Sequence, residues 1–189
     1  MRILGLLFLI AIATAEAVHA QSVPAKLTRW LGPQSWVRDT DGPVVSLGAK
    51  GEFDDTHIFA PCVSEEDGLF RMWFCGSTGR VADRVFHVGL ATSKDGRQFV
   101  RHPANPVMRF GSGTKSVLTP TMLRSVDGSL LRENGRLRMF FSSTDFPSGD
   151  GKHTLHESFS EDGVSWKTPS TALLENVYAP TVLKDGDEY

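Results

Sequence analysis

The chain has 189 residues, 40% of them hydrophobic and 22% charged, which is an ordinary globular composition. Its formal net charge of −2 supplies no basic footprint and argues against a nucleic-acid partner. Eighteen glycines and ten prolines favour many turns over long helices.

Met1-Arg2 precedes an apolar run from Ile3 to Ala13, and Val18-His19-Ala20 then offers small residues for cleavage before Gln21. This pattern predicts a Sec-type signal peptide over residues 1–20, and hence a secreted or periplasmic mature protein. A membrane anchor would need roughly 20 apolar residues. Here the run is shorter and Glu16 interrupts it. No other stretch reads as a membrane span. Residues 21–50 form a lead-in, in which Gly42-Pro43-Val44-Val45 is echoed by Asn105-Pro106-Val107-Met108.

From residue 51 onward the sequence reads as short strands. The first is expected at Ile58–Ser64, with a turn at Glu65–Gly68, and the second at Leu69–Cys75. The third is expected at Phe86–Thr92, the turn Ser93-Lys94-Asp95-Gly96 follows, and the fourth spans Arg97–Arg101. The same order returns at Val117–Arg124, Arg136–Ser142, Thr154–Phe159 and Val164–Lys167. Asp-Gly between apolar runs is a hairpin signal, and it occurs at 67–68, 95–96, 127–128, 162–163 and 185–186.

These segments are copies of one unit. Ala60-Pro61-Cys62-Val63 is echoed by Thr119-Pro120-Thr121-Met122 and by Ala179-Pro180-Thr181-Val182, at spacings of 59 and 60 residues. Arg71-Met72-Trp73-Phe74 matches Arg138-Met139-Phe140-Phe141, Ser93–Gly96 matches Ser160–Gly163, and Phe99 matches Trp166, all at an offset of 67. A fixed period means a supersecondary unit that buries its faces only against its neighbours. Near-continuous apolar character in the first two strands of each copy argues burial on both faces. A four-stranded unit packed on both sides by its own copies is a propeller blade. A β-sandwich also has regular short strands, but it does not predict the marked repeat.

The fold class is therefore all-β, a partial β-propeller over residues 51–189. Blade one spans about 51–104, blade two about 105–169, and a third begins at about 170, giving about two and a third blades. The third copy stops at Asp187-Glu188-Tyr189, where the first copy enters its second strand, so the chain reads as a fragment of a longer protein.

Cys62 and Cys75 are the two cysteines, one on each strand of the first hairpin. Export permits a disulfide. A tight turn near Asp67-Gly68 makes them diagonal neighbours rather than direct opposites, and two buried free thiols are the preferred reading. No Cys/His spacing suggests a metal site, and no cofactor is expected. Gly111-Ser112-Gly113-Thr114-Lys115 lacks the glycine spacing and the following helix of a phosphate loop.

Phe53-Asp54-Asp55, Ala60–Val63, Gly68–Phe74, Gly89–Gly96 and Asn105-Pro106-Val107 together resemble the five-bladed propellers of glycoside hydrolases. That broad group contains invertase-, levansucrase-, arabinanase- and xylosidase-like enzymes. The likeness covers roughly residues 42–189. Sialidase-type propellers are a related alternative, but their signature turn separates Asp from Gly, whereas Asp95-Gly96 and Asp162-Gly163 are adjacent here.

Strand alternation opens the loop into each first strand and the loop between strands two and three on one rim. The Asp-Gly turns open on the other. The first rim collects Asp54, Asp55, His57, Arg80, Asp83 and Arg84, then Lys115, Asp145, Asp150 and His153, then Glu175 and Tyr178. Converging carboxylates are what glycoside hydrolysis needs, one to donate a proton and another to attack or to activate water. The resemblance implies a nucleophile or base at Asp54 or Asp55, with Asp54 preferred, and an acid at Glu175. The transition-state stabilising position in blade two is empty, because Gly113–Thr119 contains no acid, and Asp145 is the substitute. His57, Arg84, Lys115 and Tyr178 are the candidate substrate-binding residues. The implied partner is a carbohydrate, either as substrate or as the ligand of a non-catalytic propeller that binds carbohydrate or protein. Oligomeric state is not legible.

Overall fold

The computed structural model describes residue 23 and residues 25–80, 84–144 and 151–189. The signal peptide, Asp83, Asp145 and Asp150 fall outside the described residues. The chain divides into two compact units, residues 1–36 and 37–189. In the first, a 3₁₀ turn spans Ala25–Trp30, and Trp30 stacks on Trp36 with ring centroids 5.6 Å apart.

The second unit is all-β. Strands β1 (His57–Glu66), β2 (Leu69–Ser77), β3 (His87–Ser93) and β4 (Val100–Arg101) form an antiparallel sheet in sequence order. In the second sheet, β5 (Ser116–Met122) pairs with β8 (Arg136–Thr144), then β9 (Thr154–Ser160), then β10 (Leu174–Glu175). The short β7 (Arg132–Glu133) also pairs with β8, while β6 (Arg124–Ser125) runs parallel to β11 (Leu183–Lys184).

Alternation along the strands fixes the stacking. Trp73 of β2 and Val88 and Leu90 of β3 share a core with Val117 and Met122 of β5 and with Leu137, Met139 and Phe141 of β8. This is the interface between successive blades. Met72 and Phe74, the opposite parity of β2, pack on Val44 and Val45 of the lead-in and on Phe53 just after it. Phe140, the opposite parity of β8, packs with Leu155 on Val177 and Val182 of the third copy. Trp73 and Phe140 thus face forward in the chain, Phe74 and Phe141 face back, and Val44, Val45 and Phe53 stand where a preceding blade would.

A recurrent distortion marks each first strand. Ala60, Thr119 and Ala179, the residues before the three repeated prolines, all have left-handed backbones, with φ of 49°, 47° and 54°. In β1 and β5 the strand register slips at this point, between Phe59 and Cys62 and between Leu118 and Thr121, as a β-bulge requires.

Three sequence expectations change. The fourth strands are shorter than predicted, β4 being two residues and Val164–Lys167 reducing to one bridge between Phe159 and Lys167. The Asp-Gly turns explain this. Asp95 Oδ1 accepts the amides of Arg97 and Gln98 at 2.8 and 2.9 Å, and Asp162 Oδ1 accepts those of Val164 and Ser165, both at 2.8 Å. Those amides are lost to the ladder. Val117–Arg124 is not one strand, because the ladder ends at Met122 and Arg124–Ser125 pairs elsewhere. The turn into the second strand of blade two is Asn134-Gly135, not Asp127-Gly128. Both residues are left-handed, like Asp67-Gly68 in blade one, as a two-residue hairpin turn requires. The repeat offset rises from 59 to 67 because eight extra residues enter ahead of this turn.

Arg71 and Arg138, charged positions inside apolar strands, are both paired. Arg71 meets Glu66, and Arg138 meets Glu133 at 2.5 Å and Glu157 at 2.6 Å. Cys62 and Cys75 are buried free thiols. Cys62 lies opposite Trp73, and Cys75 opposite Phe59.

Candidate functional site

The starts of the first strands and the β2–β3 and β8–β9 loops open into a cleft of about 570 Å³. Blade one contributes His57, Phe59, Arg84 and Phe86, blade two Leu118 and His153, and the third copy Tyr178.

Each side chain is set by its element. His57 begins β1, and its Nδ1 lies 3.3 Å from Oγ of the fully buried Ser77 on the partner strand. Phe86 forms the floor. Its backbone is fixed from blade two, since its N–H donates to Ser116 Oγ at 3.1 Å and its carbonyl accepts the Val117 amide at 2.8 Å. His57 and Phe59 stand edge-on to the Phe86 ring, at centroid distances of 6.2 and 4.8 Å. The half-buried Arg84 lies over the same ring at 5.3 Å. Tyr178 is 55% exposed, with its ring centroid 4.8 Å from that of His153. Its segment is tied to β8 by a bond from Ser142 Oγ to the Val177 carbonyl at 3.1 Å. Left-handed Asn176 and Ala179 turn the chain on either side.

A second cleft of about 720 Å³ opens between the Gly51–Asp54 segment and the loop after β4, lined by Asp54, His87, Arg101, His102 and Arg109 among others. Asp54 is 0% exposed and forms an ion pair with Arg101, which also reaches the Ser46 carbonyl. Its seat is made by glycines. A Cβ on Gly48 would lie 2.2 Å from Asp54 Oδ1, and one on Gly76 would lie 2.3 Å from Asp54 Cβ. Burial, with the nearby Arg109 charge, pushes His87 down to about 4, so it is neutral at neutral pH.

Asp55 has a different environment. Its carboxylate accepts the Gly51 amide and the Thr56 hydroxyl, both at 2.8 Å. Those bonds and one from Thr78, the Gly51 amide foremost, hold it below the ordinary carboxylate value.

Of the sequence candidates, His57, Arg84 and Tyr178 meet in one cleft, 121 positions apart at the extremes. Asp54 lines the other. Asp55, Lys115 and Glu175 line neither. Lys115 is exposed beside Gly111, and Glu175 is exposed on β10 opposite Thr154. Asp145 lies outside the described residues. The candidate substrate-binding residues did not include Phe59, Phe86, Leu118 or His153, although His153 was placed on the rim. The apolar three read as ordinary core, and only the loop position of His153 signalled the rim. Among the described residues, no three His, Cys, Asp or Glu side chains cluster as metal ligands would, and no helix is long and apolar enough to cross a membrane.

No protein-family model and no curated protein matches this chain. Solved structures do. A BT0996 RGII complex superposes with a TM-score of 0.55 at 22% identity, over 71% of this chain and 39% of that protein. A structure from work on GH130 glycoside hydrolases that target β-1,2-mannosidic linkages in Candida mannan superposes at 0.50 and 16% identity, over 70% of this chain and 39% of that protein. The Bombyx mori GH32 β-fructofuranosidase gives 0.49 at 16% identity, over 62% of this chain and 23% of that protein. This chain spans about two fifths of the length of the first two. Stacked antiparallel sheets, each built on a path of four strands, the recurrent bulge and the first two of these neighbours agree on one architecture: the chain carries part of the five-bladed propeller fold found in glycoside hydrolases.

Proposed function

We propose that this chain forms the sugar-binding mouth of an exported, glycoside hydrolase-like protein acting on glycosidic bonds of oligo- or polysaccharides. The observation that carries the reading is the convergence of His57, Arg84, His153 and Tyr178, from three successive copies, on one cleft with an aromatic floor. Aromatic rings bind the apolar faces of sugars, and imidazole, guanidinium and phenol groups bind their hydroxyls.

For catalysis, Asp55 fits the base or nucleophile better than Asp54 does. Its hydrogen bonds favour the ionised form, which both roles require. The Asp54 carboxylate is buried against Arg101 and suits a structural role. Glu175 remains the candidate acid and Asp145 the stabilising carboxylate. The second reading, a propeller that binds sugar without cleaving it, is favoured by the acid-free stretch Gly113–Thr119 and by the position of Glu175 away from the cleft lining.

Rates on a panel of aryl glycosides, measured for the protein and its Asp55→Asn variant, separate the readings. Hydrolysis lost by about a hundredfold or more in the variant, with sugar binding kept, supports catalysis at Asp55. Equal rates eliminate Asp55, and binding without hydrolysis by the unaltered protein favours the second reading. Export is checked by N-terminal sequencing of the protein made with its leader, with Gln21 expected as the first residue.

A further inference from the structure

His57 opens β1 and Ser77 closes β2, and the two are direct cross-strand partners, so their side chains share a face. The same pairing returns one repeat later as Ser116 and Thr144. There the first member serves the fold, because Ser116 Oγ accepts the Phe86 amide. His57 is employed differently. Its Nδ1 lies 3.3 Å from Ser77 Oγ, and its ring lines the cleft.

Burial sets the direction of that bond. Ser77 is fully buried, and the His57 ring is the one partner of its hydroxyl among the described residues. A buried hydroxyl proton without an acceptor is costly, so Ser77 donates and Nδ1 accepts. A neutral imidazole carries a single N–H. With Nδ1 accepting, that N–H belongs to Nε2, the ring nitrogen left for the cleft.

We propose that Ser77 is a positioning residue that fixes the His57 tautomer, so that His57 offers a sugar oxygen an N–H donor and not a basic lone pair. The role of the donor rests on the reading of the cleft as a sugar site. A general base must turn its lone pair to the proton it takes. The tautomer therefore gives His57 to binding and leaves proton abstraction to a carboxylate.

Long-range proton–nitrogen correlation spectra of the full chain, taken at about pH 8.5 where an ordinary histidine is neutral, show which ring nitrogen carries the proton. The His57 signals are those lost in His57→Gln. The unaltered protein should carry the proton on Nε2, and Ser77→Ala should show a mixture of both tautomers. Titration with sucrose, β-1,2-mannobiose and arabinotriose tests the donor. A sugar that binds should move the His57 Nε2 signal and should bind about five- to tenfold more weakly to Ser77→Ala, as loss of one oriented hydrogen bond implies. Ser77→Thr keeps the hydroxyl and should keep both tautomer and affinity. Thermal melts confirm that the variants fold. A proton on Nδ1 in the unaltered protein, or an unchanged tautomer in Ser77→Ala, overturns the inference and leaves the sugar cleft standing. An Nε2 proton that depends on Ser77, with none of the three sugars bound, supports the positioning and overturns the sugar reading.

Discussion

Arg132 of the second blade grips Glu66 of the first along two edges, Nε to Oε1 at 2.6 Å and Nη2 to Oε2 at 2.8 Å. Arg71 reaches the same carboxylate from its own blade. One period later Glu133 receives Arg138 from its own blade and Lys184 from the third copy. Each junction is thus fastened by a glutamate at the strand end, one cation from its own sheet and one from the next.

Both glutamates should make stability acid-sensitive. The Arg132 bond first, then Arg71, pulls Glu66 from 4.5 to about 2, and the Lys184 bond leads the same shift at Glu133. A depressed carboxylate stabilises the fold above its unfolded value, and that stability is lost as protons bind the folded state. Asp95 and Asp162, pulled to about 2 by backbone amides, titrate in the same window. Melting temperature is therefore expected to hold above about pH 4.5 and to fall from there towards pH 2. Glu66→Gln should cost about 1 kcal/mol at neutral pH, because the pair is partly solvated, and should flatten part of the acid limb.

The seal between blades one and two is an indole. Trp73 is fully buried and donates from Nε1 to the Gly163 carbonyl at 2.9 Å, 90 residues along the chain. Trp73→Phe keeps most of the apolar volume and removes that donor, for an expected loss of about 1–3 kcal/mol in chemical denaturation. Gly163→Ala should match or exceed it. The residue has φ of +78°, and a Cβ would meet the Trp73 ring at 3.0 Å.

Asp54 and Asp55 should separate cleanly in experiment. Asp54→Asn leaves Arg101 facing a neutral partner in a buried seat, with an expected cost on the order of 3 kcal/mol. Asp55→Asn keeps an oxygen for the Gly51 amide and should lower the melting temperature less than Asp54→Asn, its main effect falling on sugar turnover. Gly76→Ala pushes the Asp54 segment out of its seat and should lower stability by about 2 kcal/mol. If Asp54→Asn melted like the unaltered protein, the buried pair would not hold the lead-in.

Thiol chemistry offers a fourth check. Burial drives Cys75 up to about 12, and its Sγ donates to the Val117 carbonyl at 3.3 Å. Thiolate is the reactive form. Cys75 should therefore resist alkylation in the native protein and react at the rate of global unfolding. Rapid labelling of the folded chain would contradict the burial.

The blade plan was legible because a period leaves marks at fixed offsets. Arg71 and Arg138, or Phe99 and Trp166, identify each other without knowledge of the fold. Topology alone placed His57, Arg84 and Tyr178 on one rim, and the cleft joins them. Detail set by side chains capturing backbone was not legible. Asp95 and Asp162 each take two amides and thereby shorten the outer strands. Nor does residue type alone separate Asp54 from Asp55. The difference between them lies in the glycines at 48 and 76, which make a seat for one carboxylate and not for its neighbour.

The eight residues by which blade two outgrows blade one lie on the side away from the cleft. From that excursion, Arg124 reaches back to Ser64 at 2.8 Å, and Arg124–Ser125 runs alongside Leu183–Lys184 ahead. Added length has become a splice plate across two seams, strengthening the frame without crowding the mouth where a ligand would enter.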